Sequence, residues 1–306
     1  MILITGATGM TGQFVVAELQ KRNYPVRVLV REVSIDKAPA EVDIAIGDLS
    51  DPASLHRATL GVTGIIHTAC TFTDSAVDIA AMQALLDSWD RGPFIFVSSL
   101  DVYGYAQFTP ITEEHPRDEG YGDYAYGKIV CEGLLVEKAN ALGRRDYAML
   151  RAPYIWGPHP KAYRMVVKPQ IRTGQPLLLP GADEDEWSEY QDVWIDVRDL
   201  AWVTVEALER PPGEALNVLT GHFTWHDLFT EVIRLTGSLS TLTHKALATL
   251  TEEEQKALQS YAQRWRFSNE RLLQTFGYQP RYSFAETVAA LVAQGKGANK
   301  SSISSV

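Results

Sequence analysis

Met1-Ile2-Leu3-Ile4-Thr5-Gly6-Ala7-Thr8-Gly9-Met10-Thr11-Gly12 opens the chain, and the reading of this stretch decides the fold. Four apolar residues run into a turn punctuated by glycines, and Gln13 to Arg22 follows with Phe14, Val15, Val16 and Leu19 along one helical side. The stretch predicts a buried strand, a tight turn and a helix start. Such a turn suits a pyrophosphate, because glycines let the backbone come close and a helix N-terminus offers free N–H groups to negative charge. Gly6, Gly9 and Gly12 are spaced three apart, unlike the G-x-G-x-x-G of the usual dinucleotide fingerprint.

Working outward, Pro25 ends the helical stretch and Val26 to Arg31 alternates as a second strand. In a dinucleotide-binding fold, the residue that meets the adenosine ribose lies about 20 residues beyond the glycine turn. Here that residue is Arg31, followed by Glu32. An arginine accommodates a 2′-phosphate, which favours NADP(H) over NAD(H). If Arg31 is instead a solvated strand end, Glu32 takes the acid role that selects the free ribose hydroxyl. Val42 to Leu49 forms the next segment and ends in Gly47-Asp48-Leu49. Asp48 has two readings: an acceptor for the adenine amino group, or a cap for the short helix Pro52 to Ala58, for which Ser50 and Asp51 lie nearer.

Gly64 to Ala69 reads as another buried strand running into the small residues Thr68 and Ala69, over which a dinucleotide can lie. His67 reads as a satisfied core histidine. Asp74 to Asp90 has helical periodicity, and Phe94 to Val97 is a continuous apolar strand of the kind buried on both faces of a parallel sheet. The alternation predicts an α/β fold with a doubly wound parallel sheet. Ligands bind such sheets outside the carboxyl ends of the strands, where Ser98 and Ser99 fall.

Of the thirteen tyrosines, Tyr124 alone has a lysine four residues on, Lys128, so the two share a helix face. A cation beside a phenol favours phenolate and suits it to proton exchange near neutrality. Ser99 at the strand end is placed to hold a substrate oxygen while Tyr124 gives or takes the proton and a nicotinamide supplies or accepts the hydride.

Composition narrows the classes without choosing a reaction. The 306 residues are 45% hydrophobic and 22% charged, which is ordinary for a globular protein with a large core. No apolar run reaches the length of a membrane span, and the hydrophobic start is one strand long without a basic flank, so neither a membrane nor a signal peptide is expected. Cys70 and Cys131 give no disulfide framework and no metal spacing, so a reducing cytoplasm is expected. A net charge of −10 argues against nucleic acid as a partner.

Taken together, these pieces resemble the extended short-chain dehydrogenases/reductases, the group that includes the NAD-dependent epimerase/dehydratase family. Matching are Thr5 to Gly12, Gly47-Asp48-Leu49, Ile66-His67-Thr68-Ala69, Ser98-Ser99 with Val102-Tyr103-Gly104, Tyr124 with Lys128, and Leu150-Arg151-Ala152-Pro153 with Gly157-Pro158. The resemblance implies a Rossmann domain over 1–151 and a smaller substrate lobe over 152–294, interleaved with strands that return to the sheet from about 193 to 219. It makes Ser99 the catalytic hydroxyl, Tyr124 the acid/base, and Lys128 both a ribose ligand and the cation that tunes Tyr124. It assigns the dinucleotide to Gly6, Thr8, Gly9, Met10, Gly12, Arg31, Asp48, Leu49, Thr68, Ala69, Lys128 and Pro153. It also implies a homodimer through the wide apolar helix Ile129 to Leu142 and the helix before it. Residues 295–306 are polar and small and are expected to be unstructured.

Departures from the family pattern narrow the chemistry. Sugar dehydratases carry Asp-Glu directly after the catalytic hydroxyl, where this chain has Leu100-Asp101. Nucleotide-sugar enzymes usually place asparagine at the position of Tyr154 and arginine at that of Asp192. The segment Asp183-Glu184-Asp185-Glu186, with Glu189 and Asp192, is a poor neighbour for a diphosphate. The second half is rich in aromatics (Trp156, Tyr163, Trp187, Tyr190, Trp194, Trp225), which would suit an apolar carbonyl if they line the cleft. Val193 to Val197 reads as a strand, Asp199 as the cap of a helix through Leu208, Leu216 to Leu219 as a late strand, and Thr224 to Leu235 and Leu247 to Arg264 as helices. The expected activity is reduction of a small carbonyl or oxidation of a secondary alcohol with NADP(H), or else NAD(H). The rivals are a nucleotide-sugar epimerase with transiently reduced NAD and a non-catalytic dinucleotide sensor.

Overall fold

Successive side chains on a strand point to opposite faces, and in the first strand that alternation already divides the core. Ile2 and Ile4 belong to one apolar cluster and Leu3 to another. The computed structural model describes residues 1–105 and 109–301, of which 296–301 are described by backbone alone. Its strands are β1 (Ile2–Thr5), β2 (Val26–Val30), β3 (Asp43–Ile46), β4 (Ile65–His67), β5 (Phe94–Ser99), β6 (Tyr147–Ala152), β7 (Tyr154–Trp156), β8 (Leu177–Pro180), β9 (Gln191–Asp196), β10 (Glu214–Asn217), β11 (Gly221–Thr224) and β12 (Leu242–Lys245). Its helices are α1 (Met10–Lys21), α2 (Pro52–Thr59), α3 (Ser75–Asp87), α4 (Asp123–Ala141), α5 (Pro160–Val166), α6 (Pro169–Thr173), α7 (Glu184–Trp187), α8 (Val197–Glu209), α9 (Trp225–Thr236), α10 (Glu252–Leu258), α11 (Glu270–Phe276) and α12 (Phe284–Ser301).

Seven parallel strands form the central sheet in the order β10-β6-β5-β4-β1-β2-β3. Helices α1 and α8 pack together on one face, where Val15, Val16 and Val203 cover Ile4, Val28 and Ile95. Helices α2, α3 and α4 cover the other, with Leu55, Leu85 and Leu135 over Leu3, Phe94 and Phe96. Burial on both faces is why Phe94 to Val97 carries no polar alternation. The chain winds outward from β1 in both directions, so the strand order reverses between β1 and β4, the position at which such sheets bind ligands. Thr5 pairs with His67 and Ser99 with Ala152, so the carboxyl ends of these strands finish along one edge.

A third core belongs to the lobe. Trp156, Trp194, Phe223, Trp225 and Val288 pack around a three-stranded sheet of order β11-β9-β7. Four expectations need correction here. The strand near 193 does not return to the central sheet: β9 pairs with β11 and β7, and only β10 joins the seven. Helix α8 is capped by Asp196, whose carboxylate accepts from the Arg198 N–H, while Asp199 is buried one turn in and bound by Arg281 at 2.8 Å. The polar stretch 247–264 contains one short helix, α10, flanked by 3₁₀ turns, because its Thr251 capping box starts a helix there and its apolar residues cannot sustain one to Arg264. Residues 295–301, expected to begin an unstructured tail, continue α12, and residues 302–306 lie outside the described residues.

Candidate active site

Gly6 leaves β1 with φ +78°, a conformation that costs glycine nothing, and a Cβ there would press into Thr68 and the Ala69 backbone. One turn on, a Cβ at Gly12 would collide with the Gly6 carbonyl oxygen and Ala7. The two glycines therefore let α1 start directly against the strand end. Gly9 caps α1 without a side-chain acceptor, and no acid lies in the first turn, so its N–H groups face the cleft unclaimed by a side chain. That is a cradle fitted to a pyrophosphate.

The cleft above these strand ends encloses about 970 Å³, at the upper end of ordinary ligand cavities. Every residue assigned to catalysis or dinucleotide lines it, from Gly6, Thr8, Gly9, Met10 and Gly12 through Arg31, Asp48, Leu49, Thr68 and Ala69 to Ser99, Tyr124, Lys128 and Pro153. Arg31 is exposed at the end of β2. Asp48 accepts from Ser50 through both its N–H (2.9 Å) and its hydroxyl (2.7 Å). These bonds, with the nearby charge of Arg31, hold its carboxyl below the usual carboxylate range. Asp51, not Asp48, caps α2, so the capping reading of Asp48 falls away. The small-residue wall is fixed by a buried hydroxyl: Thr5 Oγ1 bonds His67 Nδ1 at 2.7 Å and accepts from the Ala69 N–H at 3.3 Å, while Thr68 donates to the Thr5 carbonyl. His67 is fully buried, and burial with the charge of Lys128 pulls its pKa to about 3, so it is a neutral core residue.

At the centre, α4 sets Tyr124 and Lys128 one turn apart. Lys128 Nζ donates to the Val97 carbonyl at 2.9 Å and lies 4.7 Å from the Phe96 ring and 5.6 Å from the Tyr124 ring. Tyr124 stacks on Phe72 at 5.4 Å between centroids. Burial raises the Tyr124 phenol, and Lys128 and a hydrogen bond with Ser99 pull it down without overcoming that rise. The expected lowering by Lys128 is therefore real in sign but outweighed by burial. Ser99 Oγ accepts from the Asp101 N–H at 3.2 Å, and its hydroxyl lies within hydrogen-bond reach of the Tyr124 phenol and the Asp101 carboxyl. Its neighbour Ser98 is spent on structure: Ser98 Oγ donates to Glu132, which is fully buried and clamped at 2.7 Å by Arg151.

The remaining wall was not assigned from the sequence. Asp101 and Asp192 line the cleft beside Tyr121, Tyr154 and Trp265. Asp192 is 1% exposed; its Oδ1 accepts from the Val193 N–H at 2.8 Å, and among the described residues its Oδ2 has no partner. Burial first, and then the charge of Asp101, push it up to about 8. Both acids were visible only as departures from a family pattern, and Tyr121 and Trp265 carried no local signal. The six lobe aromatics are absent from the wall: Trp156, Trp194 and Trp225 are buried in the lobe core, and Trp187 stacks on His226 at 4.0 Å. The acidic run 183–189 also stays away from the cleft, and Asp192 alone of that group reaches it. Among the described residues no cluster of His, Cys, Asp and Glu fits a metal ion, and no helix is long and apolar enough to cross a membrane.

A parallel sheet with a glycine turn at its switch point, facing a Ser, Tyr and Lys set, defines a Rossmann-type dinucleotide-binding protein. The model of the NAD dependent epimerase/dehydratase family matches residues 2–218, and the chain belongs to that family. UDP-glucose 4-epimerase of Thermotoga maritima, solved with UDP-glucose, superposes with a TM-score of 0.80 at 20% identity over 97% of this chain and 99% of its own. A short-chain dehydrogenase/reductase superfamily protein of Agrobacterium tumefaciens with bound NAD gives 0.78 at 20% identity, covering 99% of each chain. In sequence, the decarboxylating sterol-4-alpha-carboxylate 3-dehydrogenase of Dictyostelium discoideum is 22% identical over a 177-residue alignment that covers 51% of this chain. The chain spans about half the length of that relative, 53%.

Proposed function

We propose that the protein is an oxidoreductase of the extended short-chain dehydrogenase/reductase type, moving a hydride between NADP(H) and a small carbonyl or secondary alcohol. The cleft fits the cofactor: the open N-terminus of α1 takes the pyrophosphate, and Arg31 offers a 2′-phosphate its guanidinium. When bound, the nicotinamide carries the hydride. Ser99 donates to the substrate oxygen, Tyr124 supplies its proton in reduction, and Lys128, held on the Val97 carbonyl, keeps positive charge beside the phenol as it becomes phenolate. An intact Ser99, Tyr124 and Lys128 also speaks against a sensor that only binds dinucleotide.

One observation favours this over sugar-nucleotide epimerisation. Asp192 and Tyr154 stand in the wall where relatives that bind a diphosphate usually place arginine and asparagine. A buried acid and a phenol there supply no cation to the anion that those residues would hold. The relationship to a dehydrogenase supports the same direction. The test supplies NADPH with a panel of aryl ketones and, separately, NAD⁺ with UDP-glucose. Net NADPH oxidation, reduced by roughly a hundredfold in Tyr124→Phe, is expected, the scale of lost acid–base catalysis. Conversion of UDP-glucose to UDP-galactose without net change in dinucleotide would overturn the proposal.

We also propose a homodimer through the paired outer faces of α3 and α4. Ala76, Ala80 and Gly133 are exposed there and small enough for close approach, beside half-buried Ile79, Val130 and Leu134.

A further inference from the structure

Asp192 takes no part in hydride transfer as derived above, yet it is the most unusual side chain of the cleft. It lines the cavity, and one of its oxygens is buried and, among the described residues, without a hydrogen-bond partner. A bare buried carboxyl oxygen costs free energy unless a ligand answers it. Its surroundings say which ligand. Asp101 adds a second acid whose charge acts on Asp192. The phenols of Tyr121 and Tyr154 both feel the two acids, and the Tyr105 ring meets Tyr121 edge-on at 4.9 Å.

The cations of the cleft are engaged elsewhere. Lys128 is fixed on the Val97 carbonyl, Lys161 lies 4.5 Å over Phe72, and Arg31 and Lys256 are exposed at the rim. None of them is among the groups that shift Asp192, whereas the charge of Lys128 acts on Asp101. No third His, Cys, Asp or Glu among the described residues joins the pair to hold a metal ion.

We infer that Asp192 and Asp101, with the rings of Tyr121 and Tyr154, form a subsite for an organic ammonium group, so that the carbonyl or alcohol substrate is an amino ketone or amino alcohol. The inference rests on the dinucleotide-dependent reading of the same cleft and names its substrate class. An ammonium is a pure donor, matching two acids that line one cavity. Aromatic rings beside it add cation–π attraction. A hydroxyl brings one donor and no charge to the two acids, and a carboxylate or diphosphate brings neither a donor nor a positive charge. Burial keeps a proton on Asp192 near neutrality in the empty cleft. Docking of the ammonium displaces that proton to solvent, so amine binding releases a proton and alcohol binding does not.

The test is calorimetric titration of NADP⁺-loaded protein with phenethylamine, 2-phenylethanol and phenylacetate, each in two buffers of different ionisation enthalpy. The amine is expected to bind about tenfold more tightly than the alcohol, or better, with release of a proton, and the acid not to bind. Asp192→Asn is expected to remove both the advantage and the proton release while leaving the alcohol unchanged. Equal binding of amine and alcohol, tighter binding of the acid, or an amine advantage kept in Asp192→Asn would overturn the inference. Proton release by the wild type decides the matter if that variant does not fold. Dinucleotide affinity is measured first: failure to load refutes the cofactor reading, and the amine series on the unloaded protein then judges the subsite separately.

Discussion

Tyr124 shows how two opposing forces meet in one side chain. Lys128 favours its phenolate, while the half-buried setting against Phe72 favours the phenol, and burial prevails in the unliganded cleft. A tyrosine resting as phenol is the form required to protonate a carbonyl oxygen, so the balance suits reduction. Asp192 makes the residue-scale prediction. Its carboxyl titrates near 8 in the fold and near about 4 when unfolded, so between those values the native state holds a proton that the unfolded chain has lost. Its effect on stability is therefore most favourable at low pH and is lost as pH rises towards 8. Asp192→Asn should flatten that fall, the stability difference in thermal unfolding moving in the variant's favour by more than about 1.4 kcal/mol between pH 5 and pH 8, the worth of one pKa unit. A constant gap would show that Asp192 ionises normally. The sequence exposed Tyr124 and Lys128 because their relation is local, four residues on one helix. It could not expose the pairing of Asp192 with Asp101, which depends on β9 meeting the loop after β5 across the cleft.

At the scale of elements, the glycine turn carries the most structure per residue. The space between β1 and α1 is closed at Gly12, where any side chain meets the Gly6 carbonyl. Gly12→Ala should cost about 1–3 kcal/mol as an overpacking change, read as a lowered unfolding midpoint, and should weaken dinucleotide binding in titration. Unchanged stability and affinity would mean that the turn relaxes and that its closeness is incidental. This turn and the alternation of strands and helices up to β6 were legible because period-two and helical patterns are written in neighbouring residues. The partner of a strand is not. β9 has the composition of a central strand, yet Asp192 and Trp194 pair it with Phe223 and Gly221 of β11 in the lobe. The lobe tryptophans misled for a related reason: apolar area says that a side chain packs, and here Trp156, Trp194 and Trp225 pack in one lobe core, while the cleft is walled by Tyr105 and Tyr121 from the stretch before α4, Tyr124 of α4 and Tyr154 of β7.

For the whole molecule, two faces matter. The outer face of α3 and α4 should seat a second copy, and Ala80→Arg, which touches none of the core clusters, should convert a sedimenting dimer to monomer with the unfolding midpoint held. A wild type that sediments as a monomer would remove that assembly. The cleft face carries the central claim, that this member of an epimerase-rich family keeps the dinucleotide site and has exchanged a diphosphate subsite for acids. The most direct measurement is calorimetric titration of cofactor-stripped protein with NADPH and NADH, each with and without uridine diphosphate. Tighter binding of NADPH, lost in Arg31→Ala, with no response to the diphosphate, is the predicted result. Preference for NADH together with clear binding of uridine diphosphate would contradict the account and return the protein to sugar-nucleotide epimerisation.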